Sequence, residues 1–200
     1  MNKAVELLTK WDAFDQNYPA GSLADFCRYY LAVEAEPQED GQLQGTLLKN
    51  MGRIMSAFNM YHRAAMAQIE MPSSESFYFL NGIAHHGEIK KTDLINYLFF
   101  EYTTGMEAIN KLLKNELIME TVDEDDKRAK LLCLTEKGKA LLGEGYRQSA
   151  KVGEMIFKDV PADAIRLANQ LLSPIEKKHS KLAVSLKNTE FDKMYKTVCE

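Results

Sequence analysis

Long hydrophobic runs are missing from this chain of 200 residues: no stretch approaches the ~18 apolar residues that a membrane helix requires. Its opening, MNKAVELLTKWDAF, meets charge too early for a secretory leader. Cysteine is scarce as well. Cys27, Cys133 and Cys199 lie far apart with no CxxC pair, which argues against a disulfide framework and for reduced thiols in a cytoplasm. Positive charge is short: 25 Lys and Arg against 29 Asp and Glu leave a net charge of -4. That balance argues against a broadly polybasic nucleic-acid binder but leaves room for a local basic patch. Neither a glycine-rich phosphate cradle nor a nucleophile, base and orienter at useful spacing is present, so the chain does not read as an enzyme.

What is present is helical periodicity. Val5, Leu8, Trp11 and Phe14 recur every three residues, and Leu23, Phe26, Cys27, Tyr30 and Leu31 define a second short helix. The polar stretch AEPQEDGQ (35–42) reads as a linker. From Leu43 to about Ile69 one long amphipathic helix carries Leu47, Met51, Ile54, Met55, Phe58 and Tyr61 on one face. Pro72 and Ser73-Ser74 restart a helix that stops at His86-Gly87. Two short helical patterns follow, KKTDLINYLF and TGMEAINKLLKNEL, separated by FEYTT, which is the spacing of a helix-turn-helix. LIMETV and AKLLCL then flank an acid-to-base tip as a hairpin, the wing of a winged helix. Thr135 is placed to cap the next helix, and Pro161 opens another. Ser173-Pro174-Ile175-Glu176 has the form of a capping box, so a break or kink is expected there.

The run DEDDKRAKLLCLTEKGKALL resembles the wing and following helix of MarR-family transcription regulators. Asp123, Asp126 and Arg128 match the family's acidic D-x-x-D-x-R stretch, and Leu134, Thr135 and Gly138 its L-T-x-x-G turn. INKLLKNELI (109–118) resembles the end of the family's recognition helix and the next strand. The resemblance covers about residues 43–190. It implies a mainly α fold with a small β-wing, a winged helix-turn-helix lobe joined to a helical dimerisation scaffold. The expected division is an N-terminal helical arm and linker over 1–42, a scaffold over 43–72 and 135–200, and a DNA-binding lobe over 73–134. The implied partners are double-stranded DNA at a pseudo-palindromic operator, a second copy of the chain, and a small-molecule effector, often phenolic in the family. No membrane, cofactor or metal is expected.

The expected DNA-binding residues are Tyr102, Thr103, Thr104 and Lys111 on the recognition helix and Lys127, Arg128 and Lys130 on the wing, with Asp126 orienting the arginine. An arginine at a hairpin tip fits a narrow minor groove, whereas the bland alternative is a solvated turn whose charges pair. Thr103 and Thr104 suit a phosphate or an ordinary helix cap, and Tyr102 either touches DNA or packs. Adjacent His85 and His86 point apart and, with His62, lack a ligand partner at metal spacing. Cys27, on an apolar stripe, reads as a buried structural thiol rather than a peroxide sensor, and Cys133 as wing packing. The Met and aromatic stripe of 55–66 reads as core, with a ligand pocket as the alternative. Two features set this chain apart from the family pattern. Phe99 occupies the turn position where the family carries glycine, and from Glu88 to Ile118 four lysines face five acids, a net -1. Those features support a competing reading, a winged-helix protein-interaction module that has lost DNA binding.

If the wing enters a minor groove, Arg128→Ala removes one charge contact per subunit. The slope of log K against log salt then falls in magnitude by about 0.9 per contact, nearly two units per dimer. Folding stability stays within ~0.5 kcal/mol. Thr104→Ala shifts affinity with less change of slope. Identical titrations of wild type and Arg128→Ala at every salt concentration exclude the wing mechanism.

Overall fold

The computed structural model describes residues 2–33, 40–123 and 130–200. The expected linker therefore lies largely outside the described residues, as do Asp126, Lys127 and Arg128. The elements run α1 (Lys3–Asn17), α2 (Leu23–Val33), α3 (Asp40–Ala67), α4 (Ser74–His86), β1 (Ile89–Lys90), α5 (Lys91–Tyr97), α6 (Tyr102–Lys114), β2 (Ile118–Val122), β3 (Lys130–Leu134), α7 (Glu136–Phe157), α8 (Ala162–Leu186) and α9 (Phe191–Cys199). They form two compact units, Met1–Ile54 and Met55–Glu200, whose boundary falls within α3. No described helix is long and apolar enough to cross a membrane.

The first unit holds the α1–α2 hairpin. Asn2 caps α1 by accepting from the Ala4 amide at 3.0 Å. Ser22 and Asp25 cap α2 reciprocally: the Ser22 amide donates to Asp25 Oδ2 at 2.8 Å, and the Asp25 amide to Ser22 Oγ at 3.2 Å. The hydrogen bond from the Ser22 side chain is the main reason the Asp25 carboxyl titrates below its ordinary value. Phe14 and Phe26 are buried, and Trp11 meets Phe26 edge-on at 4.9 Å. Cys27, one residue on and a quarter-turn around the helix, is exposed. The expected buried thiol is thus corrected: the burial stops at Phe26.

The second unit is built on α4, α5, α6 and the sheet. Ser73 caps α4 through the Ser76 amide at 3.3 Å. Phe79, Leu80 and Ile83 of α4, Leu94 and Ile95 of α5, Ile109 and Leu112 of α6 and Leu132 of β3 are all buried in one core. Gly105 lets α6 lie close on α5, because a Cβ there would meet Ile95 Cγ1 at 2.5 Å. The hairpin is one part of a three-stranded antiparallel sheet in the order β1-β3-β2, with Ile118 opposite Leu134 and Ile89 opposite Leu132. β1, which has only two residues, leaves no alternation to read in the sequence.

α4 ends at Gly87, at φ 76°, but the next two helices end without glycine. After α5 the Phe100 amide reaches the Ile95 carbonyl at 3.1 Å and the Phe99 amide reaches that of Asn96 at 3.1 Å, with Phe99 left-handed at φ 57°. This is a Schellman stop with phenylalanine where glycine is usual. Glu116 (φ 58°) ends α6 in the same way, its neighbour Leu117 bonding back to Leu112 at 3.0 Å. α8, by contrast, continues past Pro174. Of the break or kink expected at 173–176, the break does not occur; the helix is first interrupted at Lys187–Glu190, before α9. Within a helix proline forfeits a single backbone bond, and here the helix runs on past that loss.

The L-T-x-x-G turn has a steric cause. Thr135 accepts from the Gly138 amide at 3.0 Å, while its hydroxyl donates to the Glu116 carbonyl at 2.7 Å and lies 3.1 Å from that of Leu117. The Thr135 amide also donates to the Leu117 carbonyl, at 3.1 Å. A Cβ on Gly138 would stand 1.9 Å from that same oxygen, a backbone atom that cannot yield. Gly138→Ala is therefore expected to cost about 3 kcal/mol or more, since relief requires α7 to lift off β2. Urea denaturation checks this; an unchanged midpoint would contradict the steric account.

Of the 55–66 stripe, His62 and Met66 are buried and Met55 and Met60 are exposed. His62 is stacked between Phe58 and Tyr78 at ring distances of 5.3 Å each, and its Nε2 lies 3.2 Å from Ser149 Oγ of α7. Burial pushes its pKa below the ordinary value. The folded state consequently binds fewer protons here than the unfolded chain, so stability is present above about pH 6.5 and is lost as pH falls through the folded-state value. Denaturation midpoints should drop across that interval, and His62→Gln should flatten the drop. An undiminished drop in the variant would assign the pH dependence to other groups.

Candidate nucleic-acid interface

α6 is sharply two-sided. Gly105, Ala108, Ile109 and Leu112 face the core, while Thr103, Glu107, Asn110 and Lys114 lie within roughly 60° of one another on the open side at 100° per residue. Thr104 and Lys111 flank them, also exposed. The helix begins at Tyr102, with Glu101 as a cap residue that makes no side-chain bond. Thr103 and Thr104 therefore stand inside the first turn rather than capping it. Tyr102 is 58% exposed. At the other end Asn115 is tied down from α7, whose Lys137 ammonium donates to its carbonyl at 2.9 Å.

The base of the wing carries charge, but largely paired charge. Glu120 of β2 accepts from Lys130 of β3 at 2.6 Å and also from Lys91 of α5. Those two lysine hydrogen bonds, Lys130 first, hold the Glu120 carboxyl below its ordinary value and keep it ionised. Lys90 pairs with Asp123 at 3.1 Å. The Thr121 hydroxyl donates to Glu88 at 3.1 Å. Lys90 and Lys91 are thus ion-paired. Lys130, expected to contact DNA, is 64% exposed along its side chain yet shares Glu120. Cys133 points its thiol toward the Met119 carbonyl at 3.8 Å, and burial raises its pKa, so it is a weak thiolate former.

Residue by residue, Tyr102, Thr103, Thr104 and Lys111 are all exposed on α6, with Thr103 beside Glu107 and Lys114, Lys111 and Thr104 on one flank and Tyr102 on the other. Lys130 stands at the wing base. Asn110 was missed by sequence reasoning, although it shares this face. The signal lay in the opposite stripe: once Gly105, Ile109 and Leu112 are fixed as core, the outward position of 110 follows from helical spacing. No group of three or more His, Cys, Asp or Glu positioned to hold a metal occurs among the described residues.

Residues 75–138 match the winged helix DNA-binding domain family. In three dimensions the chain is similar to a MarR-family transcriptional regulator of Listeria monocytogenes in complex with a 26mer DNA (TM-score 0.64, 23% identity, covering 72% of this chain and 95% of that one). This is the MarR fold. It is also shared with the apo form of E. coli MarR (TM-score 0.58, 16% identity, 70% and 98% covered). An organohalide-sensing RdhR regulator in its 2,4-dichlorophenol-bound form is similar as well (TM-score 0.60, 17% identity, 74% and 89% covered). Comparison with curated proteins gives no match. The expected winged helix, its element order and the mainly helical class all hold in this MarR fold.

Proposed function

We propose that this protein is a homodimeric, MarR-type DNA-binding transcription regulator, with α6 entering a major groove and the wing reaching the adjoining minor groove. The observation that carries the reading is the outward face of α6, where short polar and basic side chains project from a helix whose other face is locked into the core. An α-helix of this kind fits the major groove. Asn110 suits a bidentate pair with an adenine edge, and Glu107 suits acceptance from a cytosine amino group. Lys111 and Lys114 suit phosphates on either side, and the first-turn hydroxyls of Thr103 and Thr104 suit the backbone. Support also comes from relatives: the Listeria regulator was captured with a 26mer DNA, and a mutant of E. coli MarR with operator DNA.

Dimerisation is inferred from exposed apolar side chains that a monomer leaves wet. Leu47, Leu48, Met51 and Ile54 of α3 are exposed, as are Leu171, Ile175 and Val184 of α8. On this reading residues 43–72 and 135–200 form the scaffold, 73–134 the reading lobe, and 1–42 an added arm. A small effector that repositions the lobes fits the same scheme, as does cytoplasmic residence with the DNA. The second reading, an interaction module without DNA affinity, is favoured by one specific observation: Glu120 and Asp123 neutralise Lys91, Lys130 and Lys90, which reduces the charge that phosphate binding depends on.

Fluorescence anisotropy on duplexes drawn from DNA flanking the protein's own gene separates the two, at low and moderate salt. Salt-sensitive binding is expected. Asn110→Ala should weaken binding to the preferred duplex by ~1–3 kcal/mol per half-site and flatten discrimination among single base-pair variants. Lack of any salt-sensitive binding at low salt favours the interaction module. Unchanged discrimination with Asn110→Ala removes that residue from base reading.

A further inference from the structure

The turn between α5 and α6 is held from an unexpected direction. Lys187, at the C-terminal end of α8, donates from its ammonium group to the Phe100 carbonyl at 2.8 Å, a bond spanning 87 residues of sequence. Phe100 immediately precedes the cap residue of α6 and packs on Phe79 at 5.2 Å, so its carbonyl is fixed relative to both the core and the recognition helix. The neighbouring residue, Phe99, is left-handed at φ 57° and 52% exposed. A non-glycine residue in that region stores strain that only surrounding contacts can hold. Next to the bond, α8 and the turn are separated by an open cleft of about 500 Å³ between Tyr97, Leu98 and Phe99 on one side and Ser180, Lys181 and Val184 on the other. The turn and α8 are thus joined at a hydrogen bond and apart beside it.

We propose that Lys187 is a positioning residue for DNA recognition, tying the end of α8 to the helix-turn-helix turn so that the setting of α6 follows the position of α8. This rests on the reading of α6 as the recognition helix. A charged donor on a neutral carbonyl is among the stronger single hydrogen bonds. The open cleft gives α8 and the turn room to change their separation without clearing packed side chains. A force on α8, whether from a partner subunit or a bound molecule, reaches α6 through one lysine stem and one carbonyl.

The test uses the full chain as wild type, Lys187→Met and Lys187→Arg. Methionine keeps most of the apolar stem and removes the donor, whereas arginine restores a donor. Hydrogen–deuterium exchange is read at the amides of residues 98–104, with those of β2 and β3 as the internal reference. Exchange in the turn should rise roughly tenfold in Lys187→Met and return toward wild type in Lys187→Arg, while the strands stay unchanged. On a binding duplex Lys187→Met should weaken affinity about tenfold with the salt slope preserved. A slope lowered by about 0.9 per subunit would instead make Lys187 a phosphate contact and overturn the positioning role. Turn exchange equal to wild type in Lys187→Met overturns the tie itself, whatever DNA does. Wild-type protein that binds no duplex overturns the regulator reading, and the exchange result then decides the α8–turn tie separately.

Discussion

The carbonyl of Leu117 is the point on which the second unit turns. It receives the Thr135 amide, lies within reach of the Thr135 hydroxyl, and sits under Gly138 with no space for a side-chain atom between them. Three elements meet at this oxygen: the end of α6 through Glu116 and Leu117, the start of β2, and the first turn of α7. Because the α6 stop, the sheet edge and the helix cap share atoms, none can shift without the others. The outward face of α6 inherits its orientation from that junction at one end and from the close contact of Gly105 with Ile95 at the other. Under the proposed function such a rigid base suits side chains that read base edges, since a displaced helix forfeits bidentate geometry.

Electrostatically the lobe is frugal. Its acids do not surround α6 indiscriminately; Glu120 and Asp123 gather the lysines of α5, β1 and β3 into pairs at the wing base. In each pair the lysine is more exposed than its acid, and Asp123 is buried. Their effect is to withdraw positive charge from the wing base and leave Lys111 and Lys114 as the exposed cations of α6. Under the proposed function, affinity then depends more on shape and hydrogen bonding than on counterion release.

Much of this was legible in the sequence, because periodicity and capping act locally. Thr135 and Gly138 announced the start of α7, and the helix-turn-helix followed from apolar spacing. The turn position of Phe99 was identified by comparison with a glycine-bearing pattern. Other features depended on distant partners and left no local trace. β1 exists only because Ile89 and Lys90 meet Leu132 and Leu131 on β3. Glu120 binds lysines from two other elements, and Lys187 finds a carbonyl 87 residues away. The capping pattern at Ser173–Glu176 does not break the chain because it competes with an existing helix, and here the helix prevails. Cys27 shows the limit of stripe reading: one step past Phe26 changes the face.

The left-handed residues that end the helices have a thermal consequence. At Glu70, Phe99 and Glu116 the chain uses side-chain-bearing residues where glycine would relax the backbone. Steric strain of about 1–2 kcal/mol at each is chiefly an energy and changes little on warming. What these residues withhold from the unfolded chain is freedom, and the free energy of lost freedom scales with absolute temperature. The balance between the two therefore moves steadily toward the bulky residue as the protein is heated. Helix stops that look costly in the cold become progressively less so near the melting point, where the helices most need an end that does not fray.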